Sequence, residues 1–270
     1  MKRTFYAILV IVSILVLPSC NNKEQTFAEK CHFKGAVVSF TDTIWSVDEK
    51  FGEPQKKWIE GITKVDLNEN GQITTVTNYD EDGDITGKVL QVWRDKYRLS
   101  ERVVYGEDGN MAIKFIYSYN GDKLNQTTVH HYDENNVIEK LYYTYEGDRV
   151  AQIVGTKGGK KMKTTYSYLD DNDSYKEVEV SYDGVKSVST FYLDKSGRVI
   201  KMLADGDTYT CTWQYNEKGD ELKTTSSLFV HTFTYKYDEK GNWIEKVVAE
   251  KCGNESPKVD FLTTRHYEYK

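Results

Sequence analysis

The stretch Tyr237-Asp238-Glu239-Lys240-Gly241-Asn242-Trp243-Ile244 is the clearest copy of a unit that recurs along the chain. Each unit places an aromatic residue before a turn of Asp or Asn with Gly, and an aliphatic residue after it. Further copies begin at Leu67, Tyr79, Tyr105, Tyr132, Tyr192 and Tyr215, and shorter turns begin at Tyr119, Tyr145 and Tyr182. Asn, Asp and Gly accept the positive φ of a tight reversal, so each unit predicts a strand end, a turn and a strand start.

Between the turns, side chains alternate with the period of a β-strand. Phe233 and Tyr235 fall on one face of their segment, and the threonines between them fall on the other. Trp213 and Tyr215 repeat this arrangement one unit earlier. Alternation of this kind predicts strands with one buried face. We therefore expect these four aromatic side chains to share an inner face that forms packed core.

The turns predict the fold class, which is all-β: an antiparallel meander of many short strands, curled or folded on itself. Counting turns gives about 16 strands, and open twisted sheets seldom exceed ~10 strands without curling, splitting or closing. A round barrel of that size leaves a lumen too wide for side chains to fill, which favours a flattened sheet or an open trough. A transmembrane barrel is disfavoured because the strands carry Lys, Glu and Arg and have no uniform apolar band.

The Tyr-Asp-x-x-Gly-x-Ile/Leu consensus of these units resembles the YD repeats of RHS proteins. The copy at residues 237–243 is similar to those of small lipoproteins from the Bacteroidetes group. The resemblance extends over residues 60–245 in degenerate copies. It implies strands that wind into a hollow shell, as in longer RHS proteins, some of which enclose a toxin.

The N-terminal residues 1–19 are typical of a bacterial lipoprotein signal peptide. Lys2-Arg3 precedes the apolar run Phe5 to Leu17, which is shorter than the roughly 18 residues that span a bilayer core, and Ser19 stands before Cys20. We expect Cys20 to be lipidated and to begin the mature chain. Residues 20–33 then form a lipidated flexible tether, and residues 34–270 form the β-repeat domain. The absence of Asp after Cys20 favours the outer membrane and leaves open which side the domain faces.

Composition and charge restrict the partners. The chain has 36 lysines and arginines against 42 aspartates and glutamates, for a formal net charge of −6. Because phosphate binding needs concentrated basic side chains, no nucleic acid is expected as a partner. The membrane, reached through the lipid anchor, and a glycan or an envelope protein are the partners expected.

The remaining cysteines leave two alternatives open. Export permits disulfides, and a bridge between Cys31 and Cys252 joins the two irregular ends of the domain. Free thiols at both positions agree with the sequence equally well. Cys211 alternates with aromatic residues and is interpreted as a small core residue.

The sequence offers no catalytic, cofactor or metal motif. Two acidic runs can be compared with calcium loops, Asp80, Asp82 and Asp84 in one and Asp170, Asp171 and Asp173 in the other. Neither has EF-hand spacing, so solvated turn residues are the favoured interpretation. The adjacent His130 and His131 point to opposite faces of a strand and cannot chelate one metal together. With no nucleophile elbow and no P-loop, we predict a protein that is not an enzyme, with no cofactor and no metal.

These observations favour a cell-envelope lipoprotein that acts as a non-catalytic binding or scaffolding module through a repeat-built β surface rich in Tyr and Trp. The alternatives are a toxin-associated or immunity-type factor, which the RHS resemblance implies, and, less favoured, a glycan-active enzyme.

Overall fold

The computed structural model describes residues 25–50, 53–132, 134, 136–169, 174–204, 209–253 and 255–270. One short helix, α1 (Phe27–Lys30), precedes the strands. The strands are β1 (Val37–Lys50), β2 (Glu53–Leu67), β3 (Ile73–Tyr79), β4 (Ile85–Trp93), β5 (Leu99–Tyr105), β6 (Met111–Asn120), β7 (Lys123–His131), β8 (Val137–Glu146), β9 (Arg149–Lys157), β10 (Lys160–Tyr168), β11 (Tyr175–Val180), β12 (Lys186–Leu193), β13 (Val199–Ala204), β14 (Tyr209–Tyr215), β15 (Glu221–Ser226), β16 (Phe229–Tyr237), β17 (Trp243–Cys252) and β18 (Lys258–Tyr269).

The strands form one closed barrel. Each strand pairs antiparallel with the next, and β1 also pairs antiparallel with β18, from Val37 opposite Tyr269 to Ser46 opposite Phe261. The all-β antiparallel meander is confirmed. The expected sheet of about 16 strands, curled or folded on itself, is found as an 18-stranded barrel. The long pairing of β1 with β18 closes the barrel and removes both edges of the sheet.

The recurring turn has a direct physical explanation. Asp238 accepts the backbone N–H of Asn242 at 2.8 Å through its side chain, and the Gly241 N–H reaches the Asp238 carbonyl at 3.0 Å. Gly241 has φ +91°, and the strand register shifts between Lys236 and Tyr237. This is the hairpin turn with a bulge at its glycine that the Asp-x-x-Gly spacing favours.

The tyrosines that precede several of these turns hold neighbouring strands together. Their hydroxyls donate to carbonyl oxygens near the start of the preceding strand at 2.8 to 3.0 Å. The pairs are Tyr119 with Leu99, Tyr145 with Leu124, Tyr168 with Val150, and Tyr215 with Val199. The repeated tyrosine therefore has a structural role at one end of the barrel, where residue 270 also lies. We call this end the near end, and the opposite end the far end.

The packed core is concentrated on one part of the inner wall. Phe40, Val65, Val76 and Val89 are buried there and face inward from successive strands. Phe27 packs against this cluster from the N-terminal segment, with its ring centroid 6.3 Å from that of Phe40. Residues that pair across neighbouring strands point to the same face of the sheet. Following the pairing partners of this cluster from strand to strand therefore identifies the inward-facing residues all around the barrel.

The N-terminal segment packs against the barrel from Thr26 onward, closer to the N-terminus than predicted. Thr26 is 2% exposed and caps α1, since its side chain accepts the N–H of Glu29 while Glu29 accepts the N–H of Thr26. The Ala28 N–H donates to the Gly71 carbonyl at 2.9 Å, and the Lys34 N–H donates to the Asn242 side chain at 2.8 Å. A flexible tether was expected over residues 20–33. From Thr26 onward these residues instead form a packed cap on the barrel. Residues 1–19 and Cys20 lie outside the described residues.

Candidate functional site

The lumen is lined by partly exposed aromatic side chains and by largely buried charged side chains. Trp213, Tyr215, Phe233 and Tyr235 share the inner face, as expected, but each remains partly exposed. The expectation that they form packed core is wrong, because closure into a wide barrel leaves these rings facing a lumen. Barrels of 16 to 18 strands leave an aqueous channel where side chains do not fill the interior.

A cavity of about 490 Å³ opens at the near end between the cap and the turns of β12 to β17. Phe33, Trp243 and Tyr267 supply its aromatic lining. Its charged lining is mixed: Lys34, Arg198, Lys218, Lys240, Glu217 and Asp220. A volume in this range accommodates a small molecule, and aromatic surfaces with a few polar groups are typical of such sites.

A buried ion pair lies beside this cavity at the seam between β1 and β18. Arg265 donates to both carboxylate oxygens of Asp42, at 2.5 and 2.6 Å. The guanidinium also lies 3.8 Å from the Trp243 ring centroid and 4.1 Å from that of Phe40. The pair therefore fixes the orientation of Trp243 and joins the first strand to the last.

Lys246 and Glu221 continue the charged lining along the inner wall. Burial lowers the pKa of Lys246, and the positive charge of Arg265 lowers it further. Burial raises the pKa of Glu221, although Lys246 and His231 counteract that shift. Both groups are thus partly desolvated inside the barrel, where their interactions with a bound molecule are stronger than in water.

A second polar cluster lies on the part of the inner wall formed by β7 to β11. Glu139 accepts the Tyr182 hydroxyl at 2.7 Å and lies 3.0 Å from Nε2 of His131. Burial is the largest cause that raises the pKa of Tyr182, and the hydrogen bond to Glu139 raises it further. Tyr182 reaches Glu139 across the surface of Gly155, where an added Cβ would lie 2.4 Å from the tyrosine oxygen.

The outer wall has a different chemistry. Threonines and lysines recur on it, the lysines on nine of the strands, and exposed apolar side chains such as Val92, Ile116 and Tyr142 lie between them. These lysines are Lys64, Lys88, Lys114, Lys140, Lys163, Lys176, Lys201, Lys223 and Lys236. A lysine on the lipid face near the bilayer midplane costs about 2–4 kcal/mol. Among the described residues, no helix is long and apolar enough to cross a membrane.

The predicted site residues lie far apart. Cys31 lines the near-end cavity, close to Trp243 at the start of β17, whereas Cys252 ends that strand. Nine residues of extended chain separate Trp243 from Cys252 by about 30 Å. Both thiols are free in the structure, which is one of the two alternatives that the sequence leaves open. Cys211 is buried on the inner wall and is also free.

The first of the two acidic runs considered for calcium forms a turn. The Asp80 carboxylate accepts the backbone N–H groups of Asp82 and Asp84 at 3.1 and 2.9 Å, so it stabilises its own turn. The run at 170–173 lies outside the described residues. Within the described part of the chain, no three His, Cys, Asp or Glu side chains are grouped to hold a metal.

Two features of the inner wall were not predicted from the sequence, namely the Arg265 to Asp42 pair and the contact of Tyr182 with Glu139. One indication was present, since Arg265 alternates with Thr263 and Tyr267 on the inner face of its strand. A charge at an inward position indicates a buried partner or a polar interior.

The comparisons with known proteins concern structure alone. No family model matches the chain, and no curated protein matches it. A porin-like protein from Bacteroides uniformis has a similar structure with 12% identity and a TM-score of 0.45, over 87% of this chain and 99% of the other. A porin-like protein from Bacteroides vulgatus has 10% identity and a TM-score of 0.42, over 86% and 98%. The TcdB2-TccC3-Cdc42 structure has 11% identity and a TM-score of 0.32, over 88% of this chain and 18% of that one.

The predicted function is therefore corrected. A repeat-built β surface that acts as a binding or scaffolding module is wrong, because the sheet closes and the repeats become the wall of a barrel.

Proposed function

We propose that this protein is an outer-membrane-associated β-barrel, held by a lipid on Cys20, whose lumen takes up small solutes. The contrast between the two faces of the wall supports the proposal most directly. The inner face carries partly exposed aromatic side chains and charged side chains, and a cavity of about 490 Å³ lies at its near end. The outer face carries lysines and threonines, interspersed with exposed apolar side chains. Binding chemistry is therefore concentrated inside the barrel.

The lipid anchor explains how a barrel with this outer wall stays at a membrane. The lysines of the outer wall oppose insertion, whereas two or more acyl chains are sufficient for stable anchoring. Cys20 precedes the cap at Thr26 by only a few residues, so a lipidated Cys20 holds the near end close to the bilayer. The far end then points away from the membrane and is the entrance for solutes.

Accessibility of the two wall faces tests the lumen. In a chain that carries Cys31→Ser and Cys252→Ser, cysteines are introduced at Ser189, in the middle of β12 on the inner face, and at Thr232 on the outer face. We expect the Ser189→Cys variant to react with a small thiol reagent and not with a bulky polymer-bearing maleimide. The Thr232→Cys variant should react with both.

The two faces also define the outcomes that contradict the proposal. A Ser189→Cys variant that reacts with neither reagent indicates a dry interior, and one that reacts with both indicates an open sheet. Cys211 is 4% exposed and serves as the internal background, since the unsubstituted parent should show little labelling with either reagent.

Replacing Cys20 by Ala tests the anchor separately. Without the thiol no acyl chain can be attached, so the protein should lose fatty-acid labelling and leave the membrane fraction. Metabolic labelling and membrane fractionation measure both effects. A Cys20→Ala protein that stays in the membrane fraction would show that something other than a lipid on Cys20 retains the barrel.

A further inference from the structure

Lys246 is an amine on the inner wall without a partner of opposite charge. It faces inward from β17, opposite Tyr235 of β16. Its ammonium makes no hydrogen bond to any described residue and lies within 4.0 Å of no described carboxylate. Cations inside proteins are ordinarily paired, so a lysine held in the barrel with all of its donors unused needs an explanation.

Three carboxylates are near enough to act on the charge of Lys246, those of Asp42, Glu221 and Asp220. Each of them is already held by another donor, so they offset the charge of the ammonium only at a distance. The pairs are Asp42 with the Arg265 guanidinium at 2.5 and 2.6 Å, Asp220 with the Tyr237 hydroxyl at 2.7 Å, and Glu221 with the Thr224 hydroxyl.

Lys246 shares an aromatic ring with a second cation. Its Nζ lies 5.5 Å from the Trp243 ring centroid, and the Arg265 guanidinium lies 3.8 Å from the same centroid. Burial and the positive charge of Arg265 both lower the pKa of Lys246. A desolvated lysine beside another cation has a larger share of neutral amine, and the neutral amine is the form that attacks carbonyl groups.

Trp243 also connects this amine to open space. The ring lines the near-end cavity of about 490 Å³, which has room for a small molecule. Lys246 faces inward and remains partly exposed, so a solute inside the barrel can reach its Nζ.

We propose that Lys246 is a covalent binding site for small aldehydes that enter the barrel. The neutral amine adds to the carbonyl carbon, and the resulting carbinolamine loses water to give an imine. The carbonyl oxygen leaves in that water together with the two hydrogens of the amine, and a C=N bond takes the place of the C=O bond. Water reverses both steps, so capture and release need no further reagent. This inference rests on the proposed function, since the aldehyde reaches Lys246 from inside the barrel.

Reductive trapping of the full lipidated chain in detergent tests the inference. Acetaldehyde with sodium cyanoborohydride fixes each imine as an ethyl group, and peptide mass spectrometry then follows ethylation lysine by lysine. At neutral pH, Lys246 should be ethylated several-fold faster than Lys201, which is exposed on the outer wall. The ratio of the two rates should fall as the pH is raised, because ordinary lysines then also become neutral.

Matched controls show which amine reacts and where it lies. Lys246→Arg keeps the positive charge and should abolish the fast ethylation, whereas Lys201→Arg should leave it unchanged. An aldehyde-terminated polyethylene glycol should modify Lys201 and not Lys246, since the polymer does not enter the barrel. The comparison of the two lysines in the natural chain requires no substitution and therefore does not depend on whether either variant folds.

The outcomes separate this inference from the proposed function. If Lys246 is ethylated no faster than Lys201 while the Ser189→Cys variant still reacts with the small thiol reagent, the aldehyde site is wrong and the proposed lumen stands. If neither Lys246 nor the introduced cysteine reacts, both fail. A ratio of rates that stays constant with pH would attribute the fast reaction to access alone and would contradict the inference, as would modification of Lys246 by the polymer.

Discussion

Arg265→Ala should lower the free energy of unfolding by about 3–5 kcal/mol, because it leaves the buried carboxylate of Asp42 without its partner. The two side chains are only 12% and 19% exposed and are joined by two hydrogen bonds. The substitution also removes the cation from the faces of Trp243 and Phe40. Chemical denaturation followed by tryptophan fluorescence measures the change.

Two variants make this expectation specific. Lys258→Ala removes an ion pair with Glu255 whose side chains are 78% and 65% exposed, so it should cost at most about 1 kcal/mol. The double variant Asp42→Leu with Arg265→Met replaces the pair by apolar side chains and should recover much of the lost stability. An Arg265→Ala protein that unfolds at the same denaturant concentration as Lys258→Ala would contradict a buried seam pair.

Gly155→Val is expected to be the second large loss. A Cβ at this position lies 2.4 Å from the Tyr182 oxygen, 2.5 Å from Cγ of Met162 and 2.9 Å from Cδ2 of Leu141. Tyr182 must therefore move away and give up its hydrogen bond to Glu139. Overpacking and the lost bond to a charged group together predict a cost of about 3 kcal/mol or more, measured by chemical denaturation.

A double-mutant cycle isolates the role of Tyr182. Gly155→Ala should be clearly destabilising in the natural chain and should cost measurably less when Tyr182→Ala is already present, while the contacts with Met162 and Leu141 account for the cost that remains. An equal cost in both backgrounds would mean that the Tyr182 side chain does not lie over Gly155.

Local sequence predicted the hairpins because each hairpin is closed by its own turn. The Asp238 side chain bonds within its turn, and Gly241 adopts the positive φ that the pattern required. Barrel closure has no such local signal. The pairing of Val37 with Tyr269 joins residues at opposite ends of the domain, and strand count alone permits a trough, a sandwich or a barrel.

The missing local signal for closure also explains why the inward aromatic side chains were wrongly expected to form packed core. Alternation correctly placed Trp213 and Phe233 on the inner face. Whether inward rings become packed core or line a lumen depends on the curvature of the whole sheet, which a strand of seven to nine residues does not encode. The sequence leaves a Cys31 to Cys252 bridge open for a related reason, since only the strand path shows that β17 carries Cys252 away from the near end.

Closure of β1 against β18 is the central claim, and spin labels on the outer wall test it most directly. In a chain without native cysteines, Thr41→Cys and His266→Cys place two labels on residues that are register partners across the seam. Thr41→Cys with Lys140→Cys places them on distant strands as the control. We predict strong dipolar broadening for the seam pair and none for the control. A seam pair whose spectrum equals the sum of the two singly labelled proteins would contradict the closed barrel.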